Sequence, residues 1–312
     1  MQQSAVTHHD PAAGWGAAIA AELVRRTVLG ADPVAEVLDV VALVPDPHRE
    51  RFARMLAPDW QPGRDPAEPG NGSVWTCLAQ AVWAVRHHAT FHDAVTAAID
   101  LGDDTDTVAC VTGALAGARC GIQAIPSRFT TYVHGRLRTP QGEVTFHNAD
   151  LQALARTLIG VGNGSEPPAE SPAGPQELLP GVFAADLSAA VQAAHEREFA
   201  VLSLCRVGSA FRHVPNRREV YLVDQAGPLD NPALLAAVND AVATVRAWRA
   251  EGRDVLVHCH GGRSRTALVV QAYAIGNGMS PAEAHDWLTD AWPRFDPWNP
   301  VFREFLQHHW PA

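Results

Sequence analysis

The sequence has no apolar run that approaches the length of a membrane span, so no transmembrane helix is expected. Its first residues, MQQSAVTHHDPAAG, carry neither a basic start nor an apolar stretch, so no secretory signal is expected there. Cysteine is scarce: five residues, at 77, 110, 120, 205 and 259, an odd number with no CxxC spacing. That argues against a disulfide framework or a structural zinc site, and for a reducing cytoplasm. Basic charge is also short, with Lys+Arg 24 against Asp+Glu 34 and a formal net charge of −10. Bulk electrostatics therefore repels nucleic acid, and an anionic substrate must be captured by a local basic site. The chain shows no internal repeat.

What is present fills two domains, because 312 residues are enough for two cores. Residues 161–181, VGNGSEPPAESPAGPQELLPG, are dense in Gly, Pro, Ser and Glu and read as a linker. Before it, Ala-rich segments carry apolar residues at helical spacing over 12–29, 34–44, 48–57, 73–88, 91–100 and 105–118. An all-α domain over 1–160 follows. After the linker, short apolar runs at 199–205, 219–223 and 254–258 alternate with helical patterns at 187–197, 233–250, 265–276, 281–291 and 300–309. That alternation predicts an α/β domain over 182–312, with a central, mostly parallel sheet flanked by helices.

The segment DVLVHCHGGRSRTALVV (254–270) ends a predicted strand on His258 and Cys259 and opens a helix near Arg265. In such sheets, ligands bind where strand carboxyl ends meet helix N-termini. Gly261 and Gly262 let the backbone of His260, Gly261, Gly262, Arg263 and Ser264 curl so that its N–H groups face inward. Those donors and the helix dipole form a cradle for a tetrahedral dianion and favour a thiolate. Arg265 offers a planar fork suited to phosphate oxygens. Thr266 is positioned to hydrogen-bond the sulfur, and His258 to hold the loop's shape. A leaving oxygen needs an acid; Asp224, after the run VYLV, is the first candidate. Asp230, whose plainer role is a helix cap before Pro232, is the alternative. His260 and Arg263 hint at a substrate with more than one phosphate, and a solvent-facing Arg263 is the plain alternative.

HCHGGRSRT fits the cysteine-dependent phosphatase signature, and residues 181–312 resemble the dual-specificity group, including PWNPVFREFLQHH near the end. The resemblance implies nucleophile Cys259, phosphate clamp Arg265 and general acid Asp224, acting without a cofactor on a phosphorylated protein or small molecule. Cys205 ends a strand as Cys259 does. It resembles a cysteine of some lipid-directed phosphatases of the superfamily, which implies a redox partner; a small buried residue is the plain alternative.

GDDTDT (102–107) sets carboxylates and hydroxyls ahead of a helix with small residues at Gly113, Ala114, Gly117 and Ala118. Hard oxygen ligands at this spacing suit Mg²⁺, while an acidic helix start is the plain reading. Residues 72–126 resemble the ADP-ribosylglycohydrolase family, as does SAVTHHDP (4–11). The resemblance implies metal ligands Asp104, Asp106 and Thr107, with ADP-ribose or an ADP-ribosylated protein as partner. Asp103 stands where that family usually has glycine. The family's early Gly-Asp and Thr-Asp-Asp-Thr elements are absent, so an incomplete metal site is expected, with Met1 falling inside the family domain. The pairs His8–His9, His87–His88 and His308–His309 point in divergent directions and carry no expected function.

Overall fold

The computed structural model describes residues 2–65, 68–161, 174–227 and 229–310. The chain divides into two compact units, Met1–Ile125 and Pro126–Ala312. Among the described residues, no helix is long and apolar enough to cross a membrane.

The first unit is helical: α1 Pro11–Val28, α2 Val37–Val41, α3 His48–Met55, α4 Val74–His87, α5 Phe91–Asp100 and α6 Thr105–Cys120. Local chemistry starts three of these. Asp10, Ser73 and Thr90 each accept a backbone N–H from the first turn that follows, and Pro11 sits where its missing donor costs nothing. Ile19, Leu23, Phe52, Leu78, Val82 and Leu115 meet in one core. The small-residue stripe of α6 serves packing: Cβ positions at Gly113 and Gly117 lie 3.9 and 3.8 Å from the Phe91 ring of α5.

The second unit opens with α7 Ser127–Thr130, β1 His134–Thr139, β2 Gly142–His147 and α8 Asn148–Leu158. β1 and β2 form an antiparallel hairpin of their own. The sequence reading assigned this stretch to an all-α first domain. It is a hairpin because Pro140-Gln141-Gly142 turns the chain between two alternating runs, with Gly142 at φ +128°. Of the expected linker, residues 162–173 lie outside the described residues. From Gln176 it gives way to β3 Gln176–Leu179, followed by β4 Val182–Asp186.

The remaining elements are α9 Leu187–Glu196, β5 Ala200–Ser203, β6 Arg217–Glu219, α10 Leu234–Ala250, β7 Val255–Cys259, α11 Ser264–Ile275, α12 Pro281–Ala291 and α13 Pro300–His308. The sheet order is β3-β4-β7-β5-β6, with β3 antiparallel and the others parallel. β7 is buried along its whole length and feeds both faces alternately. Val255, Val257 and Cys259 join a core with residues of α10, α11 and α13, while Leu256 joins α9 residues on the other side. Strand β6 is earlier and shorter than the run at 219–223 predicted. Val220 still donates to Ser203 at 2.9 Å, but β5 ends there. Beyond it, the Asn231 side chain takes over the Val223 N–H and C=O, each at 2.9 Å.

Candidate active site

Cys259 closes β7 and Arg265 lies in the first turn of α11, as the sequence implied. The loop between them is wedged against β4. Gly262 has φ +62°, and a Cβ there would lie 2.8 Å from both the Ala185 oxygen and the Asp186 nitrogen. Only glycine fits that position, on conformation and on space. The His260 carbonyl accepts the Leu187 N–H at 3.2 Å, tying the loop to the start of α9. Asp186, fully buried, caps α9 through Ala189 at 2.8 Å and pairs with Arg294. Sequence reasoning missed Asp186 and Arg294; an aspartate immediately before an Ala-rich helix was the available signal.

His258 is fully buried, with Nε2 2.8 Å from Ser203 Oγ and its ring 4.9 Å from Phe211. Burial pushes its pKa down to about 4, against the Cys259 backbone and Asp186, which favour the charged form. The neutral imidazole thus couples β5 to β7 next to Cys259. Thr266 is buried, but its hydroxyl makes no hydrogen bond, so the expected bond to sulfur is not formed. Ser264 is buried at the start of α11.

Arg265 is 6% exposed, and its Nη1 donates to the Leu222 carbonyl at 3.3 Å. Its Nε lies 3.6 Å from Asp224 Oδ2. The other carboxylate oxygen, Asp224 Oδ1, is buried without a hydrogen-bond partner. A buried acceptor left open beside a cation is unusual unless a ligand completes it. The rival, Asp230, instead accepts the Gly227 N–H at 2.6 Å in a turn. Two asparagines hold the acid loop: Asn231 brackets Val223, and Asn299, the α13 cap, donates to the Gln225 carbonyl at 3.1 Å.

Asp224, Gln225, Arg265, His260, Tyr221, Leu187, Cys205 and Arg206 line a cleft of about 550 Å³. Cys259 itself is buried at the base of the loop. Arg263 is not part of this cleft. Its side chain is 66% exposed and lies 3.9 Å from Asp296, so the solvent-facing alternative describes it. Cys205 packs with Val201 and Phe211, whereas Cys259 belongs to the buried cluster with Leu202, Leu204 and Leu268. No disulfide joins the two cysteines.

In the first unit, Asp103 adopts φ +60°, which explains why glycine suits that position. Asn71 fastens the loop: it donates to the Gly102 carbonyl at 2.9 Å and accepts the Asp104 N–H at 2.8 Å. Asp106 accepts the neighbouring Thr107 N–H at 3.0 Å. Thr107, with Ser4, His8, Asp10 and Trp75, lines a cleft of about 470 Å³. Among the described residues, no group of three or more His, Cys, Asp or Glu side chains is placed to hold a metal ion. Cys77 borders this cleft with its thiol pushed up to about 11, chiefly by burial, so it is inert near neutral pH.

The second unit thus sets a cysteine loop at a strand end, an arginine in the next helix and an aspartate facing it. Comparison with known proteins extends this. A family model described as ADP-ribosylglycohydrolase matches residues 1–168. ADP-ribosylarginine hydrolase Tri1 of Pseudomonas putida (strain GB-1) is 35% identical over 135 residues, covering 43% of this chain and 35% of that protein. Dual specificity protein phosphatase 12 of Homo sapiens is 31% identical over 112 residues, covering 34% of this chain and 33% of that protein. Dual specificity phosphatase 28 of Homo sapiens is 32% identical over 136 residues, covering 42% of this chain and 75% of that protein. The chain belongs to the ADP-ribosylglycohydrolase family over residues 1–168 and to the dual-specificity phosphatases in its C-terminal part. It spans about a third of the length of Tri1 and of phosphatase 12.

Proposed function

We propose that the second unit hydrolyses phosphomonoesters through a cysteinyl-phosphate intermediate. The observation that carries this reading is the open Asp224 Oδ1 beside Arg265, in the cleft bordered by the cysteine loop. The Cys259 thiolate attacks phosphorus, and the bond from phosphorus to the leaving oxygen breaks. Protonated Asp224 gives its proton to that oxygen. A water then attacks phosphorus and yields its proton to the Asp224 carboxylate. The S–P bond breaks, releasing inorganic phosphate and the thiolate. Arg265 and the loop amides hold the three non-bridging oxygens of the transferring phosphoryl group throughout. Replacement of Cys259 by Ser should abolish turnover of an aryl phosphate while circular dichroism stays unchanged. Residual hydrolysis comparable to the parent would remove the assignment.

A second reading concerns the first unit, favoured by the cleft that Thr107 shares with His8, Asp10 and Trp75. On this reading it binds an ADP-ribose-type ligand, and the second unit acts as accessory or on a phosphorylated form of it. Titration of ADP-ribose into the full chain tests it: saturable heat lost in Thr107→Val supports the reading, and no heat at millimolar ligand rejects it.

A further inference from the structure

The catalytic cleft does not end at the acid loop. A side pocket of about 270 Å³ adjoins it, lined by Gln152, Ala153, Arg156, Arg206, Glu219 and Tyr221. Arg206, Gly208 and Tyr221 border both cavities, so the two are neighbours along one wall. The far side comes from α8, within the stretch matched by the glycohydrolase model yet packed in the second unit.

This wall is built. Gln152 donates to Asn148 at 3.2 Å, Asn148 donates to the Tyr221 hydroxyl at 2.9 Å, and that hydroxyl donates to Glu219 at 2.9 Å. The chain fixes the Tyr221 ring between the cavities. Glu219 accepts from Tyr221, and burial pushes its pKa up. Arg156 and Arg206 supply positive charge, with forks suited to phosphate or carboxylate.

Resting on the phosphatase reading, we propose that the side pocket is a leaving-group subsite selecting a small phosphomonoester that carries an aromatic ring and a second anionic group. The ring stacks beside Tyr221, and the second anion meets Arg156 and Arg206.

The test uses the full chain as Cys259→Ser, with adenosine 3′,5′-bisphosphate and phenyl phosphate as probes in calorimetric titrations. The bisphosphate should bind at least about tenfold more tightly. Arg156→Gln and Gln152→Ala, added separately, should each remove most of that advantage. Equal binding of the two probes, or an advantage that survives both substitutions, overturns the subsite. So does a phosphotyrosine peptide that binds more tightly than the bisphosphate and ignores Arg156. The parent reading fails differently: if the unsubstituted chain leaves phenyl phosphate intact while Arg156-dependent binding persists, hydrolysis is wrong and the side pocket is an anion-binding site without a leaving group.

Discussion

Single residues carry the sharpest consequences. Gly262 combines a positive φ with a backbone approach that no side chain can share. Gly262→Ala should therefore cost more than about 2 kcal/mol in chemical denaturation, through strain and displacement of β4. An unchanged midpoint would mean that the loop relaxes freely. His258 gives a pH signature. Its pKa falls from 6.5 to about 4 in the folded chain, so the unfolded chain binds the extra proton between those values. Its contribution to stability is intact above pH 6.5 and is lost as pH drops toward 4. The stability curve should slope downward on acidification across that window, and His258→Asn should flatten the slope. Equal slopes would contradict the buried neutral imidazole. These residues also mark what the sequence made legible. The signature HCHGGRSRT located Cys259, Arg265 and the glycine turn because their spacing is local. Asp186 and Arg294 were hidden because their pairing joins residues far apart in the chain.

Among the elements, the acid loop depends on side chains standing in for a strand. Val220 and Leu222 stay in the core, but sheet pairing ends at Val220, and beyond it Asn231 and Asn299 supply the missing bonds. Asn231→Ala should lower kcat more for an alkyl phosphate, whose leaving group needs the proton, than for p-nitrophenyl phosphate. Equal losses on the two substrates would assign Asn231 to folding alone. The run at 219–223 looked like a strand because its apolar content is that of a strand; where the pairing stops is set by β5, which the local pattern does not contain. The hairpin β1–β2 escaped for the opposite reason, since its residues are mostly exposed and leave no apolar face to read. The helices were legible because α1 to α6 carry apolar spacing within their own sequence, and α1, α4 and α5 also carry side-chain caps. In the aspartate loop, among the described residues, Asp104 and Asp106 are not joined by a third His, Cys, Asp or Glu side chain placed to share a metal ion. Millimolar Mg²⁺ should leave the melting temperature of the chain unchanged, and a saturable rise would contradict that.

At the scale of the whole molecule, two families meet in one chain: the glycohydrolase match ends at residue 168, inside the proline- and glycine-rich stretch, whereas the compact units divide elsewhere. Residues 126–158 match the glycohydrolase model yet pack in the second unit, where α8 borders the phosphatase cleft's side pocket. The proline- and glycine-rich stretch marked a change of texture; the physical division at Ile125 and Pro126 follows long-range packing instead. The central claim is that Cys259 bears the phosphoryl group during turnover. Acid quenching of the full chain during turnover of an aryl phosphate, followed by peptide mass spectrometry, tests this directly. The account predicts a phosphate adduct on the peptide containing Cys259, absent from Cys259→Ser. Turnover with no adduct on that peptide, or an adduct that persists in Cys259→Ser, would contradict it.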